Sequence, residues 1–288
     1  MSLLEHDGNQ GALEALIRGA DIEVIPLRGL AEHLAVVPAG TTLTITCSAK
    51  LGLERTLEYT ALAAKAGYQV IPHLAARQVA DVAALRGFVG RLGDLGVTDL
   101  YVIGGDAAQP AGVYSSAAEL LEDLAGIDHG LTTIGVACYP EGHPAISDAS
   151  LLEALRRKQP FATYMVSQLC FDPGAITGWL RKVRAAGIAL PLHVGLAAPL
   201  QTRKLFELSL KIGVGSSIRY LTKQHGFIGN VLRGSSYQPD ELLRQMGSDL
   251  SSDELAIERV HLFSFNQIAP TVEWQARITG PATRAQES

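Results

Sequence analysis

In TLTITCSAKLGLERTLEYTALAAKAGYQVIPHLA, residues 42–75, a short β-rich run, a longer helical pattern and a second β-rich run follow one another. TLTITCS (42–48) and QVIPHLA (69–75) have strand length. LERTLEYTALAAKAG between them carries apolar residues at helical spacing and closes on Gly67 in the manner of a C-cap. The same alternation extends in both directions. Upstream lies DIEVIPL (21–27), and downstream lie DLYVIGG (99–105), TIGVACY (133–139), TYMVSQLC (163–170), LPLHVGL (190–196) and VHLFSFN (260–266). Helical patterns such as VADVAALRGFVGRLGDLG, SAAELLEDLAGI, DASLLEALRRK, PGAITGWLRKVRAAG and QTRKLFELSLKIG separate them. Eight strands alternating with helices predict an α/β fold, a (β/α)8 TIM barrel. The competing doubly wound open sheet is disfavoured, because no G-x-G-x-x-G fingerprint follows the first strand. A single barrel domain over residues 1–288 is expected, since such barrels commonly use this length. The stretch 214–259 is longer than the roughly one dozen residues a return to the eighth strand needs, and it reads as a helical insert at the ligand end.

Composition narrows the partners. Hydrophobic residues at 47% and charged residues at 18%, scattered along the chain, fit a large buried core and not a disordered chain. A net charge of −5 without any Lys/Arg block argues against nucleic acid and anionic membrane, leaving a small molecule as the expected partner. No run reaches the roughly eighteen apolar residues of a membrane span, and MSLLEHDGNQ lacks the parts of a secretory signal, so a cytoplasmic location is expected. Cys47, Cys138 and Cys170 each sit in an apolar run and read as buried, inert thiols.

In a barrel the ligand site lies where strands end, and polar residues gather there. They are Glu23 in the first strand, Thr46 and Ser48 in the second, His73 in the third and Asp106 after the fourth. Tyr139, Glu141 and His143 follow the fifth, Gln168 and Asp172 the sixth, and Asn266 the eighth. Glu23 shares a face with Ile25 and Leu27 in a run built for burial, which would raise its pKa toward that of a general acid; a strand-start carboxylate reaching solvent is the plain alternative. His73, after Pro72, suits hydrogen bonding to a cofactor as well as a structural role. IGGD (103–106) brings backbone close to a ligand through Gly104 and Gly105 and then presents Asp106, or forms a capped turn. Pro140 and Pro144 stiffen ACYPEGHP (137–144), so Tyr139 and His143 suit a planar ligand unless the loop is only a rigid exit. Gln168, an amide in an apolar run, fits a heterocycle edge or a core hydrogen bond. LRRK (155–158) puts Arg157 and Lys158 where they would meet phosphate, although a solvated helix face is the commoner meaning. GVGSS (213–217) is a weak anion-site signal. His193 and His261 have no carboxylate or Cys companion at ligand spacing, and no metal is expected.

Taken in order, these pieces resemble the methylenetetrahydrofolate reductase family, a flavoprotein (β/α)8 barrel. IEVIPLR resembles the family's Phe-Glu-Phe-Phe-Pro-Pro-Arg, TITCSA its Val-Thr-Tyr-Gly-Ala, IPHLAAR its Pro-His-Leu and IGGD its Arg-Gly-Asp turn. ACYPEGHP resembles its Tyr-Pro-Glu-x-His-Pro, SQLCFD its Thr-Gln-x-x-Phe-Asp and FSFN its Thr-Leu-Asn. The resemblance implies reduction of the methylene bridge of a folate to a methyl group with electrons from NADH or NADPH passing through FAD, a step of one-carbon metabolism serving methionine biosynthesis, or the reverse reaction in a one-carbon catabolic pathway such as demethylation. It implies Glu23 as general acid, Asp106 as the carboxylate beside flavin and pterin, and Gln168 as the amide shared by folate and nicotinamide. Thr46, His73, Gly105, Tyr114, Tyr139 and His143 match flavin-contacting positions, Arg157 and Lys158 match cations on the phosphate and ribose side, and Asn266 falls among the substrate contacts.

The departures point to a divergent, short bacterial-type member. Gly104 stands where the family has Arg, Ala154 near a common flavin-contacting Asn, and Thr202 where an aromatic would meet folate, so flavin and folate contacts are thinned. Two alternatives stay open at this point: a flavin-independent reductase in which nicotinamide reduces the folate directly, and a pterin-binding methyltransferase barrel without redox chemistry. A homo-oligomer is expected only by analogy with other barrel enzymes.

Overall fold

The computed structural model describes residues 3–211 and 236–280. A helix α1 (Leu3–Arg18) leads into β1 (Asp21–Val24), α2 (Leu30–Leu34), β2 (Thr42–Ile45), α3 (Gly52–Lys65), β3 (Gln69–Ala75), α4 (Val82–Asp94) and β4 (Asp99–Ile103). Next come α5 (Ala117–Leu124), β5 (Thr133–Cys138), α6 (Asp148–Lys158), β6 (Tyr164–Ser167), α7 (Pro173–Ala185) and β7 (Leu192–Ala197). The short β8 (Leu200–Gln201), α8 (Thr202–Lys211), the short β9 (Ser236–Tyr237), α9 (Asp240–Met246), β10 (Ile257–Phe263) and α10 (Ile268–Thr279) complete the described chain. Eight parallel strands close in the order β1-β10-β7-β6-β5-β4-β3-β2, so the fold is the (β/α)8 barrel and the open-sheet alternative is excluded.

All eight expected strands form, but some end early for visible reasons. β1 stops at Val24, three residues short of the expected end, because Pro26 interrupts the run and the Asn266 side chain takes over Ile25. That amide accepts from Ile25 N at 2.8 Å and donates to Ile25 O at 3.0 Å, replacing a strand partner. Residues 212–235, which hold GVGSS and about half of the expected 214–259 insert, lie outside the described residues. Of the remainder, α9 packs against α7, and the 3-10 turn Gly247–Ser251 packs against α1. Trp274 in α10 donates to Asp240 in α9 at 2.8 Å, tying this part into the outer ring.

Local sequence explains the helices. Asp81, Ser116, Ser147 and Asp172 cap α4 to α7 by accepting backbone N–H bonds, and Pro173 adds a preset φ at the first position of α7. In α4 the buried residues Leu85, Phe88, Val89 and Leu92 recur at i, i+3, i+4 and i+7, one stripe turned toward the barrel. Strand alternation then divides the chain's apolar residues. Ile22, Val24, Leu43 and Ile45 point outward into the helices, in one cluster with Leu30 and Leu34. The inner face is left to a small apolar plug of Ile71, Tyr101, Tyr164 and Val166 and to an unusual number of polar side chains.

Two glycines make that interior possible. The ring of Tyr164 lies across β5 at Gly135, where a Cβ would stand 2.4 Å from the ring, and stacks on His193 with centroids 4.2 Å apart. At Gly195 a Cβ would stand 2.3 Å from the Ser167 carbonyl and 2.7 Å from the Phe263 ring. Below them Asp21 is fully buried, bonded to His193 at 3.2 Å and Arg259 at 2.9 Å. Burial alone would raise this carboxyl, but the His193 bond and the neighbouring charges outweigh it and hold it below its usual range.

Gly195→Ala is expected to lower unfolding stability by about 1–3 kcal/mol through overpacking. Gly178→Ala, in α7 where nothing lies within 4 Å of the added Cβ, should instead stabilise by roughly 0.5–1 kcal/mol. Urea midpoints of the two variants decide; a neutral Gly195→Ala contradicts the close packing described.

Candidate active site

The strand ends open into a cavity of about 680 Å³ that reaches between the β4 and β5 loops. Nine of the residues singled out from the sequence line it: Glu23, His73, Gly105, Asp106, Tyr139, His143, Arg157, Lys158 and Gln168. Gly104 and Ala154, where this chain departs from the resembled pattern, line it as well. Others lie elsewhere. Tyr114 is buried and donates its hydroxyl to Asp123 at 2.7 Å. Thr46 closes the β1–β2 edge, donating its backbone N–H to Val24 O at 3.0 Å. Asn266 spends its amide on Ile25, as described above. Thr202 is buried at the start of α8.

Glu23 is the centre of the mouth. Its side chain is 13% exposed, and its Oε2 lies 3.1 Å from His261 Nε2 and 3.9 Å from His73 Nε2. The sequence-based expectation that His193 and His261 lack carboxylate companions is therefore corrected. His193 faces Asp21 and His261 faces Glu23, because barrel closure sets β1 beside β10 although 238 residues separate Glu23 from His261. His73 is almost fully buried with its Nε2 unbonded, packed edge-on against Tyr101 at 4.6 Å between centroids. Burial first, and the charge of His261 second, hold His73 well below the usual histidine range, so its imidazole is neutral. Burial also pushes the Tyr101 hydroxyl well above its usual range, leaving it a neutral donor.

The β4 loop carries Asp106 at an exposed position on the cavity rim. Gly105 takes φ +90°, a conformation that favours glycine, and a Cβ there would meet the Ala75 Cβ at 2.9 Å. Arg77, which sequence reasoning left without a role, holds this loop. Its guanidinium donates to the carbonyls of Ala107, Ser115 and Ala108 at 2.7, 3.1 and 2.9 Å. Its fork geometry and its place two residues after the end of β3 were the only sequence signals. Phe263, the last residue of β10, completes the wall near Glu23, stacked edge-on against His261 at 4.9 Å.

The β5 loop is stiff as its prolines imply, but its three polar residues divide their work. Tyr139 and His143 meet edge to face at 5.3 Å on the cavity wall, and His143 Nδ1 accepts from Ala145 N at 3.1 Å. Glu141 turns away and accepts from Phe171 N and Asp172 N, both at 2.7 Å, clamping the β5 loop to the start of α7. Gln168 faces the cavity with its Oε1 bonded to Leu169 N at 2.8 Å, which leaves its NH2 end to offer hydrogen bonds. Cys138 and Cys170 are buried and desolvation pushes both thiols up, in keeping with inert cysteines.

Toward a flavin the cavity has two characters. Residues suited to face a ring system are in place: Tyr139, His143, Asp106 and Gln168. The cations expected at the diphosphate are engaged with the protein. Arg157 is bound to Glu122 at 2.8 Å, and the Lys158 amine, pushed down to about 8 by burial, donates to Ala137 O at 2.6 Å. Arg77 is spent on the loop carbonyls. The ring side fits, and on the phosphate side Lys158 and Arg77 are held by carbonyls while Arg157 is held only by a half-exposed surface pair.

Among the described residues no helix is long and apolar enough to cross a membrane. Among known proteins, the chain is similar to Methylenetetrahydrofolate reductase 2 of Saccharomyces cerevisiae (strain ATCC 204508 / S288c), 26% identical over 144 residues that are 46% of this chain and 22% of the yeast protein. It is also similar to Methylenetetrahydrofolate reductase 1 of Schizosaccharomyces pombe (strain 972 / ATCC 24843), 37% identical over 70 residues that are 24% of this chain and 11% of that protein. The chain thus spans less than a quarter of the length of either relative. A crystal structure from Burkholderia cenocepacia J2315, carrying a provisional lyase/mutase name, aligns over 89% of this chain and 82% of its own at 15% identity with a TM-score of 0.48. The family model described as Methylenetetrahydrofolate reductase matches residues 30–218, well over half of the chain, and the chain belongs to that family.

Proposed function

We propose that the protein reduces the methylene bridge of a tetrahydrofolate to a methyl group, with NADH or NADPH supplying the electrons. The observation that carries this reading is the placement of Glu23: a nearly buried carboxyl at the barrel mouth, hydrogen-bonded to His261 and sharing one cavity with Asp106 and Gln168. A proton delivered by Glu23 to the bridging nitrogen breaks that nitrogen's bond to the bridging carbon and leaves an iminium on the other nitrogen. Hydride then adds to the iminium carbon and gives the N-methyl group, so one proton and one hydride are consumed as NAD(P)H becomes NAD(P)+. The Asp106 carboxylate on the rim favours the cationic iminium, and the free NH2 end of Gln168 suits the acceptors of a pterin or of a nicotinamide carboxamide. A small molecule in a cytoplasmic enzyme is the partner this implies.

If FAD were held against Tyr139, His143, Asp106 and Gln168, it would supply a hydride carrier between nicotinamide and folate. The engaged cations leave no permanent cradle for a resident dinucleotide, which favours a second reading: direct hydride transfer to the bound folate from NAD(P)H that enters the cavity only as a passing substrate. A methyltransferase barrel without redox chemistry would leave Glu23 and Gln168 idle together.

Protein purified without added flavin separates these readings. Yellow protein bleached by NADH and recoloured by methylenetetrahydrofolate supports the flavin route, colourless protein that still couples NADH oxidation to folate supports the direct route, and no NADH oxidation under any flavin supplement contradicts both. Glu23→Gln should lower the rate of folate reduction by about 10²–10⁴-fold while leaving NADH binding, followed by its fluorescence, nearly unchanged. Equal loss of both would contradict the general-acid role.

A further inference from the structure

We propose that Glu23, His73 and His261 form a binding site for one divalent transition-metal ion of the zinc class. One ligand atom from each residue lies within 4.8 Å of the other two. A tetrahedral ion with bonds of about 2.0–2.1 Å holds its ligand atoms roughly 3.3 Å apart. The separations from Glu23, 3.1 Å to His261 and 3.9 Å to His73, bracket that value, and the third edge, between the two imidazoles, is at most 4.8 Å and closes by side-chain rotation as an ion binds.

Independent features point to a ligand there. His73 Nε2 is buried without a hydrogen-bond partner on a side chain only 5% exposed, and it faces Glu23. An orphaned imidazole nitrogen in such a place costs free energy that a metal bond would recover. Burial keeps this imidazole neutral, the form that coordinates metal. Thr44, in register with Glu23 on the neighbouring strand, has a second buried and unpartnered oxygen, Oγ1, on the same inner face. The three ligands stand on inner positions of the rigid strands β1, β3 and β10, and the Tyr101 ring packs against His73 and lies 6.2 Å from His261 between centroids, which fixes ring orientation. Two imidazoles and one carboxylate with a fourth position open to the cavity match the donor set of zinc sites that keep an exchangeable ligand. The site is distinct in chemistry from hydride transfer, and its existence does not depend on the folate reading. One consequence does rest on that reading: a metal ion on the Glu23 oxygen displaces its acidic proton, so zinc should suppress folate reduction without displacing NADH.

The full-length protein, treated with a chelator and dialysed, is titrated with Co2+ as the spectroscopic probe and then with Zn2+ as competitor. Expected are one equivalent of Co2+ with the visible bands of low-coordinate nitrogen and oxygen ligation, displaced by one equivalent of Zn2+. His261→Gln and His73→Gln should each weaken binding at least tenfold, and His33→Gln and His129→Gln, remote from the cluster, should leave it unchanged. Circular dichroism establishes that each variant is folded, and whichever of His261→Gln and His73→Gln folds decides. Absence of binding below about millimolar Co2+, or binding that survives in a folded cluster variant and falls in a remote one, overturns the proposal. Because the readout is coordination and not turnover, a protein that binds metal on titration but fails to reduce folate in its chelator-treated, metal-free state would contradict the proposed reaction and leave this site standing.

Discussion

The contact between Glu23 and His261 holds the site together because it spans the seam at which the barrel closes. β1 and β10 come from opposite ends of the chain, and their parallel pairing sets Asp21 opposite His261 and Glu23 opposite Phe263. A carboxylate inside a barrel is costly to desolvate, and the His261 imidazole from β10 at hydrogen-bonding distance offsets part of that cost. The same seam carries a second carboxylate lower down, Asp21, compensated by His193 and Arg259. The barrel interior is therefore a stack of paired polar groups, with an aromatic plug of Tyr101 and Tyr164 made possible by the bare backbone at Gly135. A fold that had only to be stable would fill these positions with branched apolar residues. Polar pairing aimed at one mouth is the cost of a site.

Much of this was legible in the chain. Strand length and helical spacing around residues 42–75 gave the architecture, since each element's apolar period agrees with its place in the barrel, and the ends of the strands carried most of the cavity residues. What escaped depended on contacts between distant segments. His261 looked unaccompanied because its carboxylate partner is 238 residues away, and only closure brings the two together. Asn266 looked like a substrate contact because it ends a strand, yet backbone at Ile25, left without a ladder partner after Pro26, claims both ends of its amide. Tyr114 sits beside a capping box in which Ser116 and Glu119 fix the start of α5, and its own hydroxyl is drawn inward to Asp123. Sequence pattern reports which face a residue takes, and it does not report which polar groups are already satisfied.

That distinction bears on how this chain departs from its family. Glu141, part of the most specific motif shared with the family, serves as a clamp: two backbone amides at the start of α7 bind its carboxylate and fix the β5 loop against the β6 loop. Arg77 does similar work for the loop that presents Asp106, through three carbonyls. With Arg157 on Glu122 and Lys158 on Ala137 O, cationic side chains around the cavity are devoted to architecture. The ring-facing wall is open to the cavity, while the cations on its other side are paired within the protein.

The most direct test of the account is a crystal structure of the protein with 5-methyltetrahydrofolate. The account predicts the pterin in the mouth cavity, its edge at Gln168 and the nitrogen that bore the methylene bridge beside the Glu23 carboxyl. Folate bound elsewhere on the protein, or seated in the cavity with that nitrogen turned away from Glu23, would contradict it.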